Sequence, residues 1–368
     1  MDVVIAGGGL AGLAAADVLH RAGVSVRVVE ARPGVGGRLK TIAPDRPTPG
    51  AWLDVGATWH WSNQPEVAGL AASLGVPAFP QYRDGLAMVE DPPGSDPRPV
   101  AVPAPSPAEL RFVGGAQALC QRLAERLPAG TVVVDTEVVE IALDRGGGGG
   151  VTVTTFGPDS TETALVADAV IVALPPRLAS EGITFTPQLP EPLVAVMRAT
   201  PTWMARALKC VAVYDRPFWR RAGLSGLALT LGGPLLEVHD GCTADESVAA
   251  LWGFVSADHA VRDLDFDERI QLVFTQLGRL FGPEATDPEQ YVERDWSNDP
   301  YTNDVVVSFD EPLPYGHPLL AEPAFDGRLL WAGTETADVG GGHMEGAVRS
   351  GRRAAGQALA LAASAPRR

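Results

Sequence analysis

The sequence predicts an α/β chain: a doubly wound domain and a second α+β domain, each assembled from discontinuous pieces of the 368 residues. Three observations predict it. The chain opens on strand, glycine turn, helix, strand and acid, the order of a βαβ unit. It closes on another strand, glycine turn and helix, in "RLLWAGTE" and "MEGAVRSGRRAAGQALALA". From about Pro201 to Trp296 strand-like runs alternate with turns and that pattern is absent, which marks a separate unit.

The elements follow in order. Val3–Ala6 and Val26–Val29 are apolar runs of strand length, and between them Leu10, Leu13, Ala14, Val18 and Leu19 form a helical stripe. Residues Pro77 to Pro107, dense in proline, read as an irregular excursion. A helix follows, with Ala116, Leu119, Leu123 and Leu127 on one face. Thr131–Leu143 and Val151–Phe156 read as strands flanking a flexible "RGGGGG" turn, and Thr161–Val166 as a third. Ala169–Leu174 is a buried strand stopped by Pro175-Pro176. Ala205–Tyr214 and Ala249–Val255 are strands, and a helix covers about Asp267–Phe281. Residues 1–76, 112–198 and 298–368 form the first domain; 77–111 and 199–297 belong to the second.

A net charge of −16 and a pI near 4.8 argue against nucleic acid or an anionic membrane as partner, since both demand a basic face. Cys120, Cys210 and Cys242 are odd in number and widely spaced, so neither a disulfide framework nor a zinc site is expected, and a cytoplasmic location is the simpler reading. The six histidines show no metal-ligand spacing. No signal peptide precedes the first strand, and no apolar run is long enough to span a membrane.

Gly7, Gly9 and Gly12 make G-x-G-x-x-G around Leu10 and Ala11, between a strand and a helix, and Glu30 ends the next strand. In a Rossmann-like unit Gly7 permits the tight turn, Gly9 admits a pyrophosphate and Gly12 lets helix and strand pack closely. Glu30 would accept hydrogen bonds from ribose hydroxyls; the plain alternative is a glycine-rich turn with a surface acid. Ala31, Arg32, Gly36, Gly37 and Arg38 extend this with two cations and exposed backbone, suited to a long buried dinucleotide. The chain has 29 basic residues, of which only Lys40 and Lys209 are lysine. Lys209 sits inside the apolar run "ARALKCVAVY", and burying a lysine costs free energy unless it is paired or neutral. The alternative is a strand lysine whose head reaches solvent.

Taken in chain order, "GGGLAG", "EARPGVGGR", "LDVGATW", "GGAQAL", "LKCVAVYDRPFWR", "DWSNDPYT" and "WAGTETADVGGGHMEGAV" resemble the flavin amine oxidase family, which includes monoamine and polyamine oxidases. The resemblance implies an FAD-binding domain of Rossmann type with a separate substrate domain, and redox chemistry on a flavin. It places Gly333, Thr334 and Glu335 at the ribityl or phosphate region. The backbone at His343 and Met344 then begins the last helix, with free N–H groups toward the flavin. Gly56, Ala57 and Thr58 pass the flavin face, and Val138 contacts adenine through backbone. Lys209 is implied to be the catalytic lysine that holds a water against flavin N5.

The chain also departs from that family. Where relatives offer Tyr as one of two aromatic rings around the amine, His343 stands here, and the partner position falls near Val306. Trp59, Trp61 and Trp296 are candidate cavity walls. No Cys lies in "SNDPYTNDVV", so the FAD is expected to be noncovalent. The helical subdomain of relatives shrinks to about Pro77–Arg111, which predicts an open entrance, or one closed by a second subunit in a homodimer, and admits a bulky amine. The expected activity is an oxidase that passes hydride from a C–N carbon to flavin and electrons to O2. The alternatives are a desaturase of a natural-product intermediate, a flavoprotein isomerase without net redox turnover, and, weaker, an NAD dehydrogenase.

Overall fold

A computed structural model describes residues 1–45, 50–144, 149–255, 259–303 and 315–364. Val306 and residues 145–148 of the glycine turn lie outside the described residues.

The opening unit forms where the glycines and the apolar stripe predict it. Strand β1 (Asp2–Ala6) runs into helix α1 (Leu10–Arg21), which returns through Gly23 to β2 (Ser25–Val29). These strands are central in a five-stranded parallel sheet, ordered Val132–Val133, β2, β1, Ala169–Val172, Leu329–Trp331. The chain order reverses between β1 and Ala169–Val172, and such a switch point opens a crevice at the carboxyl ends of the strands. The last helix (Met344–Ser364) packs on α1 through small residues: a Cβ on Gly351 would lie 2.2 Å from the Ala11 carbonyl oxygen. The two ends of the chain therefore share one core.

The second large sheet has seven strands, ordered Gln290–Asp295, Leu208–Tyr214, Ala249–Val255, Leu235–Asp240, Leu224–Thr230, Leu86–Glu90 and Arg98–Val100. Strand periodicity divides its faces. Leu208, Cys210 and Ala212 pack under the helix Phe266–Phe281, whereas Val211, Val213, Ala250 and Trp252 pack against Leu53 and Val55. Lys209 belongs to this second face and is thereby aimed at residues 54–58. A four-stranded sheet containing Glu137–Asp144 covers the opposite side of the parallel sheet.

Two sequence expectations are corrected. The proline-rich excursion is not irregular: it supplies Ala78–Pro80, Leu86–Glu90, Arg98–Val100 and Glu109–Phe112 as strands. Its prolines Pro80 and Pro99 sit on edge strands, where a missing N–H costs no ladder bond. The expected strand Thr131–Leu143 is broken at Asp135, in left-handed conformation at φ 51°. The break is held by Asp135 N–H to Arg32 O and Thr136 N–H to Glu30 O, so the first half pairs with β2 and the second joins another sheet. Among the described residues no helix is long and apolar enough to cross a membrane.

Candidate active site

A cavity of about 830 Å³ runs along the carboxyl ends of the parallel strands, within the range of cofactor and ligand sites. Every strand of the opening unit delivers residues to it. Gly7, Gly9, Leu10 and Ala11 line it from the first turn, and Glu30, Ala31 and Arg32 from the end of β2. Gly36, Gly37 and Arg38 follow from the next loop, and Gly56, Ala57 and Thr58 from the segment beyond. Val138 lines one end, and Gly333, Thr334 and Met344 close the cavity from the C-terminal turn.

The glycines divide into two kinds. Gly7 has φ 108°, and a Cβ on Gly12 would stand 2.0 Å from the Gly7 carbonyl oxygen, so both are required by the fold. Gly12 accordingly does not line the cavity. Gly9 is extended at φ −76°, and the nearest atom to a Cβ there is Gly36 O at 3.9 Å. The protein has room for a side chain at Gly9; the open space belongs to whatever lies in the cavity. Glu30 is 4 % exposed and accepts Gly8 N–H at 2.7 Å and Arg32 N–H at 2.9 Å, which leaves each carboxylate oxygen a further lone pair for a ribose hydroxyl. Met344 N–H, first of the last helix, has no partner among the described residues, so a helix start with an unmet donor faces the cavity. His343 N–H, expected free, is instead bonded to Gly340 O at 3.1 Å. An open glycine turn, an acid at the ribose position and a donor-bearing helix start fit FAD.

Glu335 is placed differently from the expectation. It is fully buried, does not line the cavity, and takes a two-pronged contact from Arg38 at 2.5 and 3.0 Å. A buried carboxylate requires such a partner, and the pair fixes Arg38, which does line the cavity. Arg32 is likewise held, by Asp299 Oδ1 at 2.5 Å and Thr302 Oγ1 at 3.0 Å.

The far end of the cavity is aromatic. Trp59, Trp61 and His343 line it as expected, with the His343 and Trp61 rings 5.1 Å apart edge to face. Trp296 does not. It is 1 % exposed and donates Nε1–H to Val55 O at 3.1 Å, which makes it a core residue. Trp203, Trp252, Phe254 and Glu237 line this end and were missed. Trp252 and Phe254 share one face of a strand whose bounds the sequence did predict, so counting alternate residues could have found them. Glu237 needed the register: it stands opposite Phe254, which stands opposite Lys209.

Glu237 is held ionised. His239 Nδ1 faces the Arg83 guanidinium at 3.1 Å and must accept from it, so the ring proton sits on Nε2, 3.3 Å from Glu237 Oε2. This contact, first among its causes, lowers the Glu237 carboxyl below the ordinary range. Burial keeps the His239 imidazole neutral by lowering its pKa.

Lys209 is fully buried and does not line the cavity. Its Nζ donates to Gly56 O at 3.0 Å and to Thr58 Oγ1, with the Trp252 ring centroid 4.0 Å away. Thr58 does line the cavity, so the lysine lies one side chain behind the wall. Burial brings its ammonium down from the usual amine range to about 7, against the opposing pull of Asp54.

The model of the family described as flavin containing amine oxidoreductase matches residues 10–90 and 81–359. The chain belongs to that family. It is an FAD-dependent oxidoreductase that oxidises amines. A Mycobacterium tuberculosis protein assigned to the flavin-containing monoamine oxidases, AofH, is 31% identical over 98% of this chain and 97% of its own. The putrescine oxidase of Kocuria rosea is 28% identical, with 97% and 95% covered. A putrescine oxidase solved with putrescine bound is 25% identical with a TM-score of 0.83, over 98% of this chain and 99% of that one.

Proposed function

We propose that this enzyme is an oxidase of aliphatic amines that carry a second cationic group, with noncovalent FAD in the long arm of the cavity and the substrate in its aromatic end. The observation that carries the reading is Glu237, an ionised carboxylate lining an otherwise aromatic chamber. An ammonium is attracted both to a carboxylate and to ring faces. The relatives named putrescine oxidase, one with putrescine bound, are in keeping with such a substrate.

Bound FAD supplies a two-electron sink for the hydride of the C–N carbon, passing the electrons to O2 as hydrogen peroxide. The chain does the rest. In this reading residues 1–76, 112–198 and 298–368 form the Rossmann-type domain and hold FAD, with Glu30 on ribose, the Gly9 turn and Arg38 on the pyrophosphate, and the Met344 N–H on the flavin. Residues 77–111 and 199–297 form the substrate domain. Trp59, Trp61, Trp203 and His343 wall the amine and exclude water. Lys209, through Thr58, orders the water and holds the proton beside the flavin. No cysteine lines the cavity among the described residues, and Cys120, Cys210 and Cys242 are buried and free, which supports noncovalent flavin and a cytoplasmic setting. The alignment with the Mycobacterium relative spans 462 positions, and the family match divides at residues 81–90. Both support a missing subdomain there and a wider entrance for bulky amines.

Glu237→Gln tests the reading. It is expected to raise KM for a diamine by about 10-fold or more, the scale of one charge-assisted hydrogen bond, with kcat little changed. KM for a monoamine of equal chain length should hardly move. Equal effects on both substrates would contradict a role for Glu237 in reading a second charge.

A further inference from the structure

Behind Thr58, on the side away from the main cavity, lies a void of about 10 Å³ lined by Asp54, Thr58, Arg111 and Trp252 together with Leu53, Val211 and Gly241. Three buried polar atoms of its lining have no hydrogen-bond partner: Asp54 Oδ2, Arg111 Nε and Trp252 Nε1. Their residues are 6, 3 and 4 % exposed, so bulk solvent does not satisfy them. The remaining polar atoms of the group are engaged. Asp54 Oδ1 accepts Thr41 Oγ1–H at 2.7 Å and Ala116 N–H at 3.0 Å. Arg111 donates to Cys242 O at 2.8 Å and Gly241 O at 3.2 Å, and its guanidinium carbon lies 5.5 and 5.2 Å from the ring centroids of Trp52 and Phe79. An acceptor and two donors around a space of this size are the surroundings of a single water, at the lower limit of volume for one.

We propose that Asp54, Arg111 and Trp252 bind one structural water in this void, and that through it and Thr58 Asp54 is a positioning residue for Lys209. This rests on Lys209 serving the flavin end of the cavity. The relay balances: the Lys209 ammonium gives a proton to the Thr58 oxygen, Thr58 releases its own to the water, and the water delivers one to Asp54 Oδ2. A charged pair becomes a neutral amine and a neutral acid: one proton has passed from Lys209 to Asp54, and the total charge of the group is unchanged. Burial acts on both ends in the required direction, raising the Asp54 carboxyl and lowering Lys209 to about 7, so the two protonation states draw together. The other groups around Lys209 do not replace Asp54. Arg111 opposes protonation of the lysine, and Cys210 is a thiol pushed up to about 12 by burial. Arg294, opposite on the neighbouring strand, is paired with Asp299, and the strand on the other side presents only the rings of Trp252 and Phe254. Asp240 is taken by Arg220.

With two lysines in the chain, lysine labelled with ¹³C and ¹⁵N gives two side-chain signals in FAD-loaded enzyme, and Lys40→Arg assigns them. Asp54→Asn, which can keep the Thr41 and Ala116 contacts, is expected to lower the Lys209 midpoint by about one pH unit or more. An unchanged midpoint in a folded variant overturns the coupling. A crystal structure of the unmutated holoenzyme supplies the second readout and does not depend on the variant folding. One solvent peak within about 3 Å of all three atoms is expected, and a dry void overturns the proposal. Neither readout uses amine turnover, so a wrong substrate class leaves both intact.

Discussion

Lys209→Met is expected to slow oxygen-coupled turnover by about 100-fold or more, the scale of a lost proton-handling group, while the purified protein stays yellow. Lys209 lies behind the cavity wall, against Gly56 O, Thr58 Oγ1 and the Trp252 ring, so its removal leaves the proposed FAD cradle of Gly9, Glu30 and Arg38 in place. The same variant carries a stability signature. In the folded chain burial holds the lysine near pKa 7, below its ordinary 10.5. Between those values the unfolded chain binds a proton that the folded chain does not, so stability falls as pH descends from about 10 to about 7 and then levels off. Methionine has no such slope. Denaturant midpoints of the two proteins should therefore move in the variant's favour as pH drops through that window. A parallel pH dependence in both would mean that Lys209 is charged throughout, and the buried-amine account would fail.

Gly9→Val is expected to weaken FAD binding by about 100-fold, the upper range of cost for forcing a side chain into a filled site, and to leave the apo fold nearly as stable as before. The contrast with its neighbour is the reason. At Gly12 a Cβ meets backbone at 2.0 Å and the fold itself suffers, whereas at Gly9 the nearest atom is 3.9 Å away. Only a ligand gives Gly9 a reason to be glycine. Apo melting temperature and a fluorescence titration with FAD separate the two effects. Normal affinity in the variant would remove the pyrophosphate from this turn.

The parts of the molecule that were legible in sequence are those whose physics is local. The β1–α1–β2 unit announces itself by glycine spacing and one apolar stripe, and Ala249–Val255 was bounded to the residue by its composition. Lys209 stood out because a lysine inside an apolar strand is costly. What failed was long-range. Glu237 reaches the aromatic end of the cavity only through pairing with another strand, Trp296 differs from a cavity wall only by which way it faces in the 3-10 turn after the strand Gln290–Asp295, and Glu335 is taken by Arg38 from the other end of the chain. The helices Pro65–Leu74 and Glu191–Ala199 went unread although each begins at a proline-bearing first turn, a recognised start signal. The strand break at Asp135 depended on carbonyls of Arg32 and Glu30, about a hundred residues earlier in the chain.

The central claim is that a cationic amine in the aromatic end reduces FAD held along the parallel sheet. Anaerobic mixing of the purified yellow enzyme with a diamine tests it directly. The account predicts bleaching of the visible flavin band in a single turnover, its return on admitting air, and hydrogen peroxide in equal amount to the amine consumed. A flavin band that stays unbleached by diamines and monoamines alike, in protein that has bound FAD, would contradict it.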